Sequence, residues 1–485
     1  MLILKCFLEL LRIVPVYAGE REITGAMKNM EEKRDYGVLE PVPPSARHFG
    51  FWDMVLTWMG ANFQPGAWTI GGTIAGAGFL GALMIVLLGN PATYIILALV
   101  GFISYKIGVP TMSVARASLG VKGGYLAIVC NIFSILGWTA ISNYFSSITI
   151  SFIFNMMFGT PAYGSSGCEP YMVIGCCINA LLAFIAVYAG GSRSLKVFER
   201  IMILMLVVLA CFITVKLFQT ITLAQLLDWV IPADKSIAFG VGIDAMISFG
   251  ITWTLLSGDY TRYTKNVRSA TLAPVLGACI AAIWFAIIGV ISVATVALTT
   301  GVFDANNANP ASLLVGLGFG WIALIVVVFS SVTTSMVNIF SGTVNIMGLS
   351  EKLPQKGITV FVAIFTTLVA FIPVFYGSFA DLFMAFLNSQ SALFPPIMAI
   401  IITDYYFIKK RDYDISNLAK RDGAYWYTGG FNIAAIIAWV GGTAAFVILK
   451  NIGFGANHVG AVLPSFGLCM VIYYLAAKIM YGNQM

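Results

Sequence analysis

Two stretches of this sequence set uncharged polar side chains among residues that are otherwise almost all apolar. One holds Trp138, Thr139, Ser142 and Asn143; the other holds Ser330, Ser331, Thr333, Thr334, Ser335 and Asn338. Gln64, Asn143 and Asn338 each offer a donor and an acceptor, and the indole of Trp138 can stack on a flat ring. None of these groups is ionised, so the set suits an uncharged, planar, hydrogen-bonding ligand. An amino acid would call for charge complements or bare helix ends. Thr333 and Thr334, side by side, could coordinate a small hard cation or return their hydroxyls to their own helix. Asn143 equally suits a role as glue between helices. No nucleophile–base pair, H-E-x-x-H motif or paired mid-membrane carboxylate is present, so no catalytic residue is assigned and an enzyme is not expected. A passive channel is the other rival class.

The elements that must carry these residues follow from composition. Of 485 residues, 59% are apolar and only 10% charged, against about 25% charged in soluble domains. The chain reads as an all-α integral membrane protein. Eight Cys without a C-x-x-C pair and only two His, His48 and His458, argue against a disulfide framework, a zinc site or any other metal site beyond a coupling ion. Apolar runs of about 20 residues, enough to cross a bilayer, recur at 51–73, 79–104, 124–156, 171–190, 197–218, 237–257, 271–299, 312–343, 358–376, 380–407, 428–449 and 460–480. Twelve spans are expected. With the N-terminus cytoplasmic, 24 of the 27 basic residues fall inside and only Lys216, Lys235 and Lys450 outside; both termini are therefore expected in the cytoplasm. The net charge of +6 is then a matter of topology, and no nucleic-acid partner is implied. Residues 1–50 form a tail, of which 1–26 reads as an upstream start with Met27 or Met30 as the native one, an amphipathic surface helix being the alternative.

Two spans carry breaks. Asn62-Phe63-Gln64-Pro65-Gly66 interrupts the first, because proline removes a backbone donor. Ser248-Phe249-Gly250-Ile251-Thr252-Trp253 places a glycine among polar residues in the sixth. These are the first helices of two five-helix sets, 51–218 and 237–407, inverted relative to each other because five is odd; 428–480 adds two more. Paired interruptions in inverted halves point to the binding site of a secondary transporter, with the breaks expected at Pro65 and Gly250.

Three separated stretches resemble the nucleobase:cation symporter-1 family, closest to its purine and cytosine permease branch: Gly108-Val109-Pro110-Thr111 through Gly120-Val121-Lys122-Gly123, Ser257-Gly258-Asp259-Tyr260-Thr261-Arg262-Tyr263, and Pro395-Pro396 followed by Asp404-Tyr405-Tyr406. The resemblance covers about 45–480. It implies the leucine-transporter-like fold, five plus five inverted helices and two more, with Na⁺ or H⁺ as the coupling ion and no other cofactor. It also implies stacking of the substrate on Trp138, a contact from Asn338, and Gln64 near the first-helix contact. Gly250 stands where several members place a second aromatic, a role that Phe249 or Trp253 would take over unless the ring is held on one face only. Hydroxyls of the eighth span at Thr333 and Thr334, the carbonyl of Ser330 and carbonyls from Ala61 to Gln64 would form the Na⁺ site. The cargo implied is a nucleobase such as cytosine or a purine; uracil, allantoin, a hydantoin and hydroxymethylpyrimidine are the alternatives.

Overall fold

The computed structural model describes residues 37–482 other than 38, 348, 350–353, 377–378 and 457, with backbone alone at 189–200 and 202. The proposed start at Met27 or Met30 lies outside the described residues.

The described chain is helical. The first expected span is two rods, α1 (Phe51–Asn62) and α2 (Pro65–Ile74). Proline has no N–H and crowds the residue before it out of the helical region. Gln64 accordingly sits at φ −143°, ψ 156°, and Pro65 opens α2 as its first residue. After α2 come α3 (Gly78–Ile107), α4 (Thr111–Leu119) and α5 (Gly124–Phe158). A helical run follows from Glu169 to Thr220. Asn179 bonds Ser335 at 2.9 Å, while Leu206 shares a cavity wall with Ser330. A straight helix would set Asn179 and Leu206 about 40 Å apart, whereas Ser330 and Ser335 are separated by about 8 Å. The run therefore turns back on itself and counts as two rods, α6 (Glu169–Tyr188) and α7 (Ile203–Thr220).

The second half comprises α8 (Phe239–Ile251), α9 (Ser257–Thr261), α10 (Leu272–Thr300), α11 (Pro310–Gly316), α12 (Trp321–Met347), α13 (Gln355–Ala370) and α14 (Phe379–Thr403); α15 (Ile433–Asn451) and α16 (Val462–Tyr481) close the chain. Among the described residues, eleven stretches are long and apolar enough to cross a membrane, one fewer than the twelve expected. The difference arises at the first span: α1 is too short to count, and α2 runs through a 3-10 turn into α3 as one stretch, Pro65–Ile107.

The interruption expected at Gly250 is displaced. α8 continues through Gly250 to Ile251 and then tightens into a 3-10 turn, Thr252–Leu255, before α9. A glycine keeps its N–H, so by itself it does not open a helix. Its place is a packing matter: a Cβ on Gly250 would stand 2.9 Å from Thr93 Cγ2 and 3.3 Å from the Tyr94 hydroxyl of α3. α2 and α10 likewise meet backbone to backbone through Gly71 and Gly289, the close approach that small residues permit between membrane helices.

The three stretches quoted above meet at one end of the molecule. Gly258 N–H donates to Thr111 Oγ1 at 2.8 Å. Asp404, buried where α14 passes into a π-helical turn, accepts from the hydroxyls of Tyr413 (2.7 Å) and Tyr473 (2.6 Å). Asn432 ties Tyr473 to the carbonyl of Ser118 at the end of α4.

Candidate functional site at the broken helix

The gap between α1 and α2 faces α5, the end of α8 and α12. Two small adjoining cavities lie there, of about 50 and 30 Å³. Trp253, Thr334 and Asn338 line both. The smaller is bounded by Gln64, Ser134, Trp138 and Thr252; the larger by Gly60, Ala61, Phe63, Ser330 and Thr333. No acidic or basic side chain lines either one among the described residues.

Trp138 stands at the centre of an aromatic cluster. Its ring meets Phe249 edge-on at 5.5 Å, Phe386 at 5.3 Å and Phe383 at 6.2 Å between centroids. Its Nε1 has no hydrogen-bond partner among the described residues. Gly66, just past the break, lets these groups converge: a Cβ there would stand 3.3 Å from Phe249 Cε2, 3.7 Å from Gln64 Oε1 and 3.7 Å from the Trp138 ring. Asn338 is buried, and its Nδ2 also lacks a partner among the described residues. The expected residues that the fold brings together here are thus Gln64, Trp138, Phe249, Trp253 and Asn338.

Three expected residues are placed differently. Gly250 points its open side at α3, as described. Ser142 lines neither cavity, and its hydroxyl donates to the carbonyl of Trp138 at 3.0 Å. Asn143 is fully buried in a link between helices: its Oδ1 accepts from Asn179 Nδ2 of α6 at 2.7 Å and from the Ser335 hydroxyl of α12 at 3.3 Å. A helix surface turns 100° per residue, so Trp138 and Asn143 five positions later face well apart.

Ala61, Ser330, Thr333 and Thr334 share the larger cavity, whereas Gln64 lines the smaller. The hydroxyls of Thr333 and Thr334 donate to the carbonyls of Phe329 (2.8 Å) and Ser330 (3.1 Å). A hydroxyl that donates keeps two lone pairs, so both can still present oxygen to a cation. The carbonyl of Ser330 already accepts one of these hydroxyls and is the least available of the set.

Sequence reasoning missed Ser134 and Thr252 as wall residues and Gly66 as the point of close approach beside Trp138. Ser134 precedes Trp138 by one helical turn, so its shared face was readable. Gly66 and Thr252 carry no such signal, since their place depends on which helix lies opposite.

The groups gathered here suit the face and edge of a flat neutral ring beside Trp138 and a small cation at the end of α1, although the smaller cavity must widen to admit such a ring. A family model described as permease for cytosine/purines, uracil, thiamine, allantoin matches residues 41–475. The chain is 24% identical to the purine-uracil permease NCS1 of Arabidopsis thaliana over 466 residues, 90% of this chain and 76% of that one. It is equally 24% identical to the cytosine permease of Escherichia coli (strain K12) over 431 residues, 85% and 93% of the two chains. Its fold matches that of MHP1, a nucleobase-cation-symport-1 family transporter solved in a closed conformation with bromovinylhydantoin bound: the TM-score is 0.71 with 15% identity, over 90% of this chain and 95% of that one. The fold is therefore the leucine-transporter-like one, and the chain is a multi-pass membrane permease and not an enzyme. It belongs to the family of permeases for cytosine, purines, uracil, thiamine and allantoin.

Proposed function

We propose that this permease imports an uncharged nucleobase, cytosine or a purine, across the cytoplasmic membrane by cation symport, with both termini in the cytoplasm. The observation that carries the reading is the cavity at the break in α1, where Trp138, Gln64 and Asn338 meet and no charged side chain intrudes. The ring stacks on Trp138, with Phe249 and Trp253 as the other aromatic walls, while Gln64 and Asn338 pair with its edge. A cation at Ala61, Thr333 and Thr334, with Ser330 as a further carbonyl, holds the end of α1 against α12 and so completes the wall from which Gln64 projects. Ion and base then tighten each other's binding reciprocally. The hydantoin held by MHP1 is likewise a neutral ring with an amide edge, so allantoin and hydantoins remain the alternative cargo of the same site.

The test is a panel of cytosine, adenine, guanine, hypoxanthine, uracil, allantoin and hydroxymethylpyrimidine, scored by thermal stabilisation of the purified protein with and without Na⁺, since stabilisation follows occupancy of the native state. Stabilisation by one base, enhanced by Na⁺, is the expected result. Base affinity indifferent to Na⁺, with uptake driven by a pH gradient, assigns the coupling to protons. Uptake that never exceeds equilibrium would exclude a symporter.

A further inference from the structure

α14 passes behind the smaller cavity, and one face of it is turned to Trp138. Phe383 and Phe386 lie on that face, with ring centroids 6.2 and 5.3 Å from the indole. Gln390 follows Phe386 by four residues and Phe383 by seven, so it shares their face. α5 and α14 run antiparallel: Tyr144 meets Phe379 at 4.5 Å and Trp138 meets Phe386 further along. The next turn of that register brings Gln390 level with Ser134, a wall residue of the smaller cavity. On its other side, the neighbouring Ser391 hydroxyl meets that of Ser248, the residue before Phe249.

Gln390 is completely buried, yet neither its Oε1 nor its Nε2 has a hydrogen-bond partner among the described residues. Buried amides are nearly always paired, because an unmet donor or acceptor keeps the full desolvation penalty. Asn143 Nδ2, Asn179 Oδ1 and Asn338 Nδ2 are also unmet among the described residues, though Asn143 and Asn179 each keep a bond to the other; several further buried amides are bonded. Asn62 donates to the Trp58 carbonyl and accepts from the Tyr94 hydroxyl; Asn90 donates to the Val86 carbonyl; Asn432 donates to the Ser118 carbonyl and Tyr473. Gln390 is not used as glue between helices. By that register Gln390 lies about one helical turn along α14 from the Phe386–Trp138 contact.

We propose that Gln390 is a specificity-determining residue of the transport site, its amide reading the edge of a flat neutral heterocycle from the α14 side while Gln64 and Asn338 read it from α1 and α12. The inference rests on the nucleobase reading above. A primary amide pairs bidentately with a ring edge that carries one donor beside one acceptor, as glutamine does with adenine. Replacing the amide by a carboxylate removes both donors, and so favours ring edges that donate over those that accept.

The experiment uses the full-length protein in proteoliposomes, with cytosine, uracil, adenine and hypoxanthine as competitors for uptake and as thermal stabilisers. Gln390→Leu is expected to keep the ligand-free melting temperature, since no internal partner is lost. It should weaken the preferred base about tenfold or more and flatten the differences among the four. Gln390→Glu should reorder them, raising amino-bearing cytosine and adenine relative to uracil and hypoxanthine. Gln390→Met replaces the leucine variant if the latter does not fold. Affinities within twofold of wild type for every base, or an equal loss for all four, would overturn the proposal. If the wild-type protein responds to none of the four, the nucleobase reading fails and this inference with it. A wild-type response whose ranking survives in the variants removes Gln390 alone.

Discussion

Trp138 is braced by the edges of Phe249, Phe383 and Phe386, so its ring plane is set before any ligand arrives, and little side-chain entropy is lost on stacking. Trp138→Ala is expected to weaken base binding by about 1–3 kcal/mol, taking base–aromatic stacking as the guide. Titration of the ligand-induced thermal shift checks it, and unimpaired affinity in a folded variant would remove Trp138 from the site. Gly66 is the corresponding steric position. Gly66→Ala adds a methyl 3.3 Å from Phe249 and 3.7 Å from Trp138, and is expected to raise KM severalfold while the ligand-free melting temperature barely moves. The two asparagines separate binding from architecture. Asn338→Ala should raise KM. Asn143→Ala should instead lower stability by about 1 kcal/mol, in the range of polar contacts between membrane helices, and leave relative affinities for different bases unchanged.

At the scale of elements, the break in α1 does what a continuous helix cannot. The Phe63–Gln64 segment leaves the helical region, so backbone carbonyls near Ala61 and the side chain of Gln64 come to face a cavity and not a neighbouring turn. Pro65→Ala restores the missing N–H and removes the restriction on Gln64. Such a variant is expected to insert and fold, with transport reduced at least tenfold and the effect of Na⁺ on base affinity diminished; wild-type uptake would show that the segment stays open for other reasons. The partner element in the second half differs in kind. Thr252–Leu255 is a tightened turn, so its contribution is the side chains of Thr252 and Trp253 more than freed backbone.

For the whole molecule, the two ends differ in construction. The end built from the loops around α4, α9 and Asp404 is locked by side-chain bonds that join residues 69, 147 and 314 positions apart. In the orientation proposed above, this end faces the cytoplasm. A cysteine in place of Ala419, in the loop before α15, should therefore react with a membrane-impermeant maleimide only in inside-out vesicles, and one in place of Asp234, in the loop before α8, only in intact cells. Reversal of both labels would overturn the orientation proposed here.

Much of this architecture was legible in the sequence because its causes are local. Apolar runs, the bias of basic residues and the missing N–H of Pro65 act within a helical turn or along one segment, and they yield the membrane class, the spans and the position of the first break. The resemblance carried by the loop motifs supplied the fold, yet those motifs build the locked end and leave the site untouched. What a buried amide bonds to depends on the register of helices distant in the chain. Tertiary structure alone therefore sends Asn143 to Asn179 and Ser335, turns Asn338 to the cavity, packs Gly250 against α3 and leaves Gln390 of α14 unpaired. The types of polar group within the membrane are written residue by residue; which of them face one another is decided only when the helices cross.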